Sequence, residues 1–344
     1  MQGQQLVCID DLSRRQELKP GMGVSKVTFE SVQRAAARIA GVAHRTPVMT
    51  CSAIDELAGR RLFFKCENFQ KVGAFKFRGA CNAVGQLSDE DAANGVVTHS
   101  SGNHAQALAL AAKMRGVPAY IVMPTTAPTV KRAAVEGYGA EVIVCEPTLA
   151  ARESTASEVQ TRTGATFIHP YDNDDVIAGQ GTAMLELFDQ VAELSSSLDA
   201  VITPVGGGGL LGGTCIAAHG QDSSIRIFAG EPAGADDAAR SVAAGKLIPQ
   251  TEPKTIADGL LTSLGQRNWG IIQQHVEQIV TVSDDEIVAA MRLLWERAKL
   301  LVEPSSAVVL ASILSSQFAA VSGVESVGVV LSGGNVDLER LPWL

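Results

Sequence analysis

The sequence predicts an α/β protein built on mainly parallel sheets, and three observations support this fold class. Short apolar runs alternate with longer helical patterns along the chain, which is the order that βαβ units require. Three of the apolar runs lead directly into turns of small residues that open helices. The 344 residues, 33 of them glycine, contain no solenoid repeat and suffice for about two domains.

The predicted elements begin at Thr28, a suitable helix N-cap that is followed by Glu30 in the first turn. The predicted strands are Leu62–Cys66, Val96–His99, Ala119–Met123, Glu141–Cys145, Ala200–Thr203, Ile225–Gly230, Gln278–Val282 and Val327–Leu331. The predicted helices are Phe77–Leu87, His104–Arg115, Thr129–Tyr138, Ala150–Thr163, Val176–Ala192, Asp284–Leu301 and Ser305–Ser316. Residues 1–26 are predicted to form a flexible leader.

Composition and charge limit the classes of partner. The chain has 28 basic and 37 acidic side chains, a formal net charge of −9, and no basic run, which argues against nucleic acid and against an anionic membrane surface. The uncharged run 200–218 is interrupted by Pro204 and several glycines, so we expect a strand, a turn and a helix instead of a membrane span. Six cysteines without a C-x-x-C pair, and a polar N-terminus, predict reduced thiols in the cytoplasm.

Three small-residue turns each follow a predicted strand. They are T-H-S-S-G-N-H at 98–104, T-P-V-G-G-G-G at 203–209 and L-S-G-G-N at 331–335. Ligands bind at the carboxyl ends of parallel strands, and the free N–H groups of helix N-termini favour anions. The three turns are therefore predicted to converge on one anionic ligand. The alternative is that small residues merely allow tight packing.

The glycine turn also matches a dinucleotide fingerprint, Gly207-x-Gly209-x-x-Gly212, with Glu231 about 20 residues later as a candidate ribose-binding acid. An NAD-dependent oxidoreductase is therefore an alternative function. The run Gly206–Gly209 favours a different ligand, because four consecutive residues without side chains suit a phosphate monoester surrounded by backbone amides.

Lys76 is a candidate catalytic amine. It lies among Ala74, Phe75 and Phe77 at a predicted helix start. Partial desolvation there would lower its pKa and favour Schiff-base chemistry. A lysine in the first turn of a helix is otherwise usually a solvated surface residue.

Four motifs occur in the order F-K-F-R-G-A, S-S-G-N-H-A-Q, P-V-G-G-G-G-L and L-S-G-G-N-V-D-L. Together they resemble the fold-type-II pyridoxal-phosphate enzymes, the tryptophan-synthase-β-like group, and within it the serine racemases and serine/threonine dehydratases. The resemblance covers roughly residues 28–340. It implies two open, mainly parallel sheets with flanking helices. It also implies a large cofactor-binding domain at 27–94 and 173–344, and a small domain at 95–172.

The resemblance implies a role for each motif in holding pyridoxal phosphate. Lys76 would carry the cofactor and act as the base at the substrate Cα. A serine opposite the pyridine nitrogen, unlike an aspartate, would leave the ring a weaker electron sink, which suits β-elimination. The implied cofactor-binding residues are Lys76, Phe75, Asn103, Gly206, Gly207, Gly208, Gly209 and Ser332. Ala74 departs from the serine that many relatives have at this position.

The same resemblance implies the substrate contacts. Ser101 would face Cα opposite Lys76 and supply the second proton that racemisation needs, although a loop hydroxyl can instead cap the following helix. The substrate carboxylate would be held by Ser100, Ser101, Asn103 and His104. Arg152 and His169 would line the substrate entrance.

A divalent-cation site is also implied by the resemblance. Glu231, the carbonyl of Ala235, and Asp237 would form an oxygen set suited to Mg²⁺, or to Ca²⁺ or Mn²⁺. Two acidic residues at this spacing are unspecific by themselves. The family further suggests a homodimer, whereas nucleotide activation has no supporting motif in the chain.

The expected function is racemisation of serine together with its dehydration to pyruvate and ammonia. Dehydration of threonine or 3-hydroxyaspartate is the nearest alternative. Arg152 bears on that choice, because a second substrate carboxylate would require an arginine.

Overall fold

A computed structural model describes residues 25–127 and 129–344. Most of the predicted leader, residues 1–24, lies outside the described residues. The chain forms two separate β-sheets flanked by helices, which confirms the predicted α/β class with two mainly parallel sheets. The predicted domain boundaries remain a prediction.

The strands of the described residues are β1 Val48–Met49, β2 Arg61–Cys66, β3 Val96–His99, β4 Ala119–Pro124, β5 Glu141–Cys145, β6 Thr166–Phe167, β7 Ala200–Pro204, β8 Arg226–Pro232, β9 Gln278–Val282 and β10 Ser326–Leu331. All eight predicted strands are present within two residues of their predicted bounds. The sequence pattern missed β1 and β6, which have two residues each and are too short to show an alternation of buried and exposed residues.

The helices of the described residues are α1 Phe29–Ile39, α2 Ser52–Ala58, α3 Lys76–Gln86, α4 Asp89–Ala93, α5 Asn103–Arg115, α6 Thr129–Gly137, α7 Leu149–Thr163, α8 Asp174–Glu193, α9 Gly209–Gln221, α10 Asp237–Ala244, α11 Gln266–His275, α12 Asp284–Leu293, α13 Pro304–Leu314 and α14 Ser316–Ala319. The predicted N-cap is confirmed, because the Thr28 side chain accepts the N–H of Ser31. Among the described residues no helix is both long and apolar enough to span a membrane.

The predicted α-helix Asp284–Leu301 is wrong over its last eight residues. α12 ends at Leu293, and a π-helical turn follows over Leu294–Ala298. Lys299 then adopts a left-handed conformation with φ of 59°. Its neighbour Leu300 donates its N–H to the Leu294 carbonyl and is buried.

The larger sheet places side by side three strands that lead into segments with predicted site residues. Its strand order is β1-β2-β10-β7-β8-β9, with β1 antiparallel to β2 and the other neighbours parallel. Leu331 at the end of β10 is in register with Cys66 at the end of β2. The segments that follow β2, β10 and β7 therefore leave the same edge, which is where parallel sheets bind ligands.

The smaller sheet has the order β5-β4-β3-β6, and all its described strand pairs are parallel. β3 ends at His99 and leads through the turn 100–102 into α5. This connection supplies the first of the three predicted small-residue turns, the one at 98–104.

Close helix contacts hold α3, the helix that begins with Lys76. A Cβ atom at Gly179 of α8 would lie 2.7 Å from the Cα atom of Gly79 on α3. On the other side of α8, a Cβ atom at Gly213 of α9 would lie 2.6 Å from the nitrogen of Gly181. Part of the glycine content therefore serves helix packing and not ligand binding.

A buried ion cluster also fixes α3. The Arg78 guanidinium donates to the carboxylate of Glu67 at 2.8 Å and to that of Glu186 at 2.7 Å. The Lys65 ammonium donates to Glu186 at 2.6 Å and to the Gln190 side chain at 2.7 Å. Because two cations face two carboxylates, the cluster is electrically balanced, which buried charges require.

Candidate active site

Lys76 is the amine at the centre of the site. Its Nζ atom donates to the carbonyl of Pro170 at 3.0 Å and lies 5.1 Å from the ring centroid of Phe75 and 6.0 Å from that of Tyr171. Desolvation lowers the pKa of Lys76 to about 8, against the opposing effect of the Glu303 charge. A neutral amine is therefore accessible near physiological pH.

The turn after β10 is joined to the segment that leads into Lys76. The N–H of Phe75 donates to the Ser332 carbonyl at 3.0 Å, and the N–H of Gly334 donates to the Gly73 carbonyl at 2.9 Å. Ser332 itself is buried. These bonds bring the third small-residue turn beside Lys76.

The turn after β3 is tied to both of these segments through two side-chain amides, those of Asn103 and Asn335. Asn103 donates through Nδ2 to Glu303, and its Oδ1 accepts from Asn335 at 2.9 Å. The Asn335 Nδ2 also donates to the Val72 carbonyl at 2.7 Å. The orientation of the Asn103 amide is thus fixed on both sides.

Glu303 was not predicted as a site residue. It is 4 % exposed, and burial raises its pKa to about 7, with the charge of Asp258 acting in the same direction. A Cβ atom at Gly333 would lie 2.7 Å from its Oε1 atom, so the glycine makes room for the carboxylate. The available signal was the sequence E-P-S-S, an acid directly before the proline that begins the apolar helix α13.

The predicted phosphate loop, Gly206–Gly209, joins β7 to α9 and is buried throughout. A Cβ atom at Gly207 would lie 2.2 Å from the ring of Tyr171, and Gly208 has a left-handed φ of +88°. The N-cap of α9 is Gly208, with no side-chain cap. The first N–H groups of α9 are therefore available to an anion in a space that side chains would fill.

The turn that contains Ser101 leads into α5 without a side-chain cap, because the N-cap residue is Gly102. Ser101 is half-buried, and the capping role considered for its hydroxyl is not observed. The Ser100 hydroxyl accepts the N–H of Gly102 at 3.4 Å. The start of α5 thus presents backbone N–H groups beside two serine hydroxyls.

His104 is buried at 2 % exposure, and desolvation holds its pKa well below its usual range. Its Nε2 lies 3.4 Å from the Ile168 carbonyl, while Nδ1 is buried without a partner. A carbonyl only accepts, so the imidazole proton is on Nε2 and Nδ1 has none to donate. Its backbone N–H is then the group left to bind a carboxylate.

His169 lies at a cavity of about 160 Å³ that is also lined by His99, Glu153 and Gln160. Its Nδ1 accepts the N–H groups of Tyr171 at 3.3 Å and Asp172 at 2.9 Å. Burial lowers its pKa to about 4, so Nε2 carries the proton.

Arg152 lies in the first turn of α7, one residue before Glu153 of this cavity. Its Nε atom is buried without a hydrogen-bond partner. Burial lowers the pKa of His99 in the same cavity, and the charge of Arg152 acts on that imidazole in the same direction.

The three predicted metal ligands lie together beyond the glycine loop. The Glu231 carboxylate accepts the N–H groups of Ala238 at 2.9 Å and Ala239 at 2.8 Å, and burial raises its pKa to about 8. Asp237 accepts the Leu264 N–H through Oδ2, while its Oδ1 is buried without a partner. Burial raises the pKa of Asp237 as well.

This oxygen set fits a hard divalent cation, because a cation would satisfy the unpartnered oxygen and offset two desolvated carboxylates. A cluster of three or more acidic, histidine or cysteine side chains suited to a metal is absent from the described residues. The predicted set consists instead of two carboxylates and the Ala235 carbonyl.

Comparison with known proteins gives a consistent picture. Residues 39–333 match the family model described as pyridoxal-phosphate dependent enzyme. A serine racemase of Dictyostelium discoideum is 51% identical over 320 residues, covering 92% of this chain and 98% of the relative. A beta-hydroxyaspartate dehydratase of Paracoccus denitrificans is 50% identical over 316 residues, with 92% and 98% covered. The structure of maize serine racemase superposes with a TM-score of 0.89 at 48% identity, with 91% and 95% covered.

Proposed function

The chain belongs to the pyridoxal-phosphate-dependent enzymes, and from that premise we propose that it racemises serine and also eliminates water from it, giving pyruvate and ammonia. One observation carries the proposal. A desolvated lysine, Lys76, lies where the turns that carry Asn103, Gly207 and Ser332 approach one another. Membership of this family rules out the alternative of an NAD-dependent oxidoreductase. Glu231, the acid considered for ribose binding, instead accepts N–H groups of α10.

We propose that the chain's own residues hold the cofactor at its two ends. Pyridoxal phosphate, when bound, supplies an aldehyde for amine attachment and a ring that withdraws electrons from the substrate Cα. Lys76 provides the amine, and the N–H groups of Gly206–Gly209 with the uncapped start of α9 bind the phosphate. Phe75 would contact the cofactor ring, and Asn103 and Ser332 would supply polar groups to its oxygen and its nitrogen.

Lys76 removes the Cα proton in this proposal. Its lowered pKa supports the role, because general bases work best with a pKa near the operating pH. The Ser101 hydroxyl supplies the proton on the other face. Racemisation requires both groups, whereas elimination requires only the lysine side.

The substrate carboxylate binds at the start of α5. Gly102 is the N-cap and contributes no side chain, so the positive end of the helix remains open to an anion. Ser100, Ser101 and Asn103 add polar groups there, and His104 adds its backbone N–H while its neutral ring packs inside.

Dehydration of 3-hydroxyaspartate is a second candidate function. The unpartnered Nε atom of Arg152 favours it, because a guanidinium nitrogen without an internal hydrogen bond suits a second substrate carboxylate. The relative from Paracoccus denitrificans, at 50% identity, acts as a beta-hydroxyaspartate dehydratase.

A divalent cation, Mg²⁺ or alternatively Ca²⁺ or Mn²⁺, is proposed at Glu231, Ala235 and Asp237. The role is structural or activating. Asp237 accepts the N–H of Leu264, and the next residue, Gly265, donates to the Gly207 carbonyl at 3.1 Å. The cation would therefore stabilise the glycine loop indirectly, through Asp237 and the segment 264–265.

We further propose a cytoplasmic homodimer. The described cysteines are all free, as a reducing compartment favours.

The surface proposed for the dimer includes Phe69 and Leu301. They are exposed at 49% and 42%, and the Asn68 side chain donates to the Leu301 carbonyl. This places two exposed apolar side chains in one region that a second copy can cover.

The test is an assay of the purified protein with L-serine, in which D-serine and pyruvate are both measured. Formation of both products supports the proposal. Oxaloacetate from 3-hydroxyaspartate without either serine product supports the second candidate. Absence of all three products with cofactor present contradicts both.

A further inference from the structure

Asn268 joins two segments of the site through one side chain. It lies on α11, is fully buried, and donates through Nδ2 to the Gly207 carbonyl at 2.9 Å and to the Tyr171 carbonyl at 3.0 Å. Both carbonyls can only accept, so the amide nitrogen must face them and both of its hydrogens are used.

The glycines around Asn268 make room for it. A Cβ atom at Gly208 would lie 2.8 Å from the Asn268 Cβ, and one at Gly212 would lie 2.8 Å from its Oδ1. Gly212 is the last glycine of the apparent dinucleotide fingerprint. In this fold, the absence of a side chain at Gly212 leaves room for the Asn268 side chain.

The segment 170–172 that Asn268 contacts also holds Lys76. Its Pro170 carbonyl accepts from the Lys76 Nζ at 3.0 Å. Its Asp172 carboxylate accepts the Arg267 N–H at 2.9 Å, at the start of α11. The segment 170–172 beside the Lys76 amine and the glycine loop therefore both contact α11. The Asn268 side chain hydrogen-bonds to both of them.

We propose that Asn268 is a positioning residue that sets the spacing between the Lys76 amine and the phosphate-binding glycine loop. The inference rests on the proposed function, in which one cofactor is held at both places. A molecule attached at two ends gains affinity from the second end only when the spacing matches its length. Asn268 does not touch the reacting atoms.

The experiment compares two probes on the full chain freed of cofactor. Pyridoxal phosphate uses both ends of the site, whereas pyridoxal lacks the phosphate and uses the lysine end alone. In Asn268→Ala and in the isosteric Asn268→Asp, we expect the dissociation constant of pyridoxal phosphate to rise at least tenfold, equivalent to about 1.4 kcal/mol. The constant for pyridoxal should change less than about threefold. Gln273→Ala, an exposed position on the same helix, serves as the control and should leave both constants unchanged.

The outcomes separate the inference from the function beneath it. Parallel weakening of both probes, together with a lower melting temperature, would assign Asn268 a structural role and overturn the inference. A wild-type chain that does not prefer pyridoxal phosphate over pyridoxal would instead contradict the proposed phosphate site. If the Asn268 variants do not fold, Gly212→Ala, which crowds Oδ1, must show the same selective loss, and unchanged selectivity there overturns the inference.

Discussion

Asn103 donates its side-chain amide to both carboxylate oxygens of Glu303, at 2.9 and 3.2 Å. The two residues are far apart in the chain, on α5 and at the start of α13, and the bond joins the smaller sheet's turn to the larger sheet's site. Desolvation lowers the pKa of Lys76 to about 8, and the charge of Glu303 opposes that lowering. A single buried carboxylate therefore orients one site residue and tunes another.

Glu303→Gln should make the stability of the protein less dependent on pH. The folded-state pKa of Glu303 is raised to about 7 from 4.5, so the folded protein retains this proton where the unfolded chain has lost it. The wild type therefore loses stability as pH rises from about 4.5 to 7, by on the order of 2–3 kcal/mol at most. Between pH 5 and pH 8, the melting temperature of the variant should rise relative to that of the wild type. A constant difference, equal to that of the exposed control Glu325→Gln, would contradict this.

Ser101→Ala should separate the two reactions. D-serine formation from L-serine should fall at least about 100-fold, in the range that removal of an acid–base group costs, while pyruvate formation should stay within a few-fold because elimination uses the Lys76 face. The exposed Ser154→Ala on α7 is the control. Equal loss of both products would refute the assignment of Ser101 to the second face.

Chelation should destabilise the protein more at pH 8 than at pH 6. Burial raises the pKa of Glu231 to about 8. Below that pH a proton can neutralise the carboxylate when no cation is bound. Above it, the carboxylate is charged and needs a cation to balance it. EDTA should lower the melting temperature by about 5 °C or more at pH 8. Glu231→Gln should abolish the response. Melting curves identical with and without EDTA at both pH values would argue against the cation.

Arg78→Met should destabilise the fold by about 3–5 kcal/mol, because the buried Glu67 would lose its paired cation. Arg78→Lys keeps the charge but cannot bond to two carboxylates in the same geometry, so it should cost less. Denaturant unfolding measures both. Arg34→Met, which breaks an exposed ion pair with Glu30, should cost below about 1 kcal/mol. A similar cost for Arg34 and Arg78 would show that the cluster contributes little.

The sequence predicts much of this fold because the signals are local. Thr28 caps α1 by a contact three residues away, and Lys76 lies in a motif that also begins α3. The π-helical turn at Leu294–Ala298 could not be predicted, since the apolar pattern continues through it and the left-handed Lys299 that ends it has no local sequence signal.

The missed parts of the site are contacts between distant residues. Glu303 meets Asn103 at a separation of 200 positions, and Asn268 meets Gly207 at a separation of 61. Neither residue belongs to a spacing that identifies its chemistry. Tyr171 was likewise missed, because only the folded chain places its ring against Gly207.

Reduction of the cofactor-loaded protein with borohydride, followed by peptide mass spectrometry, locates the lysine that holds pyridoxal phosphate. We predict loss of the visible absorbance and a pyridoxyl label on Lys76 alone. Lys65 should stay unlabelled, because its ammonium is buried in the ion cluster. A label on any other lysine, or a protein that binds no pyridoxal phosphate, would contradict the site described above.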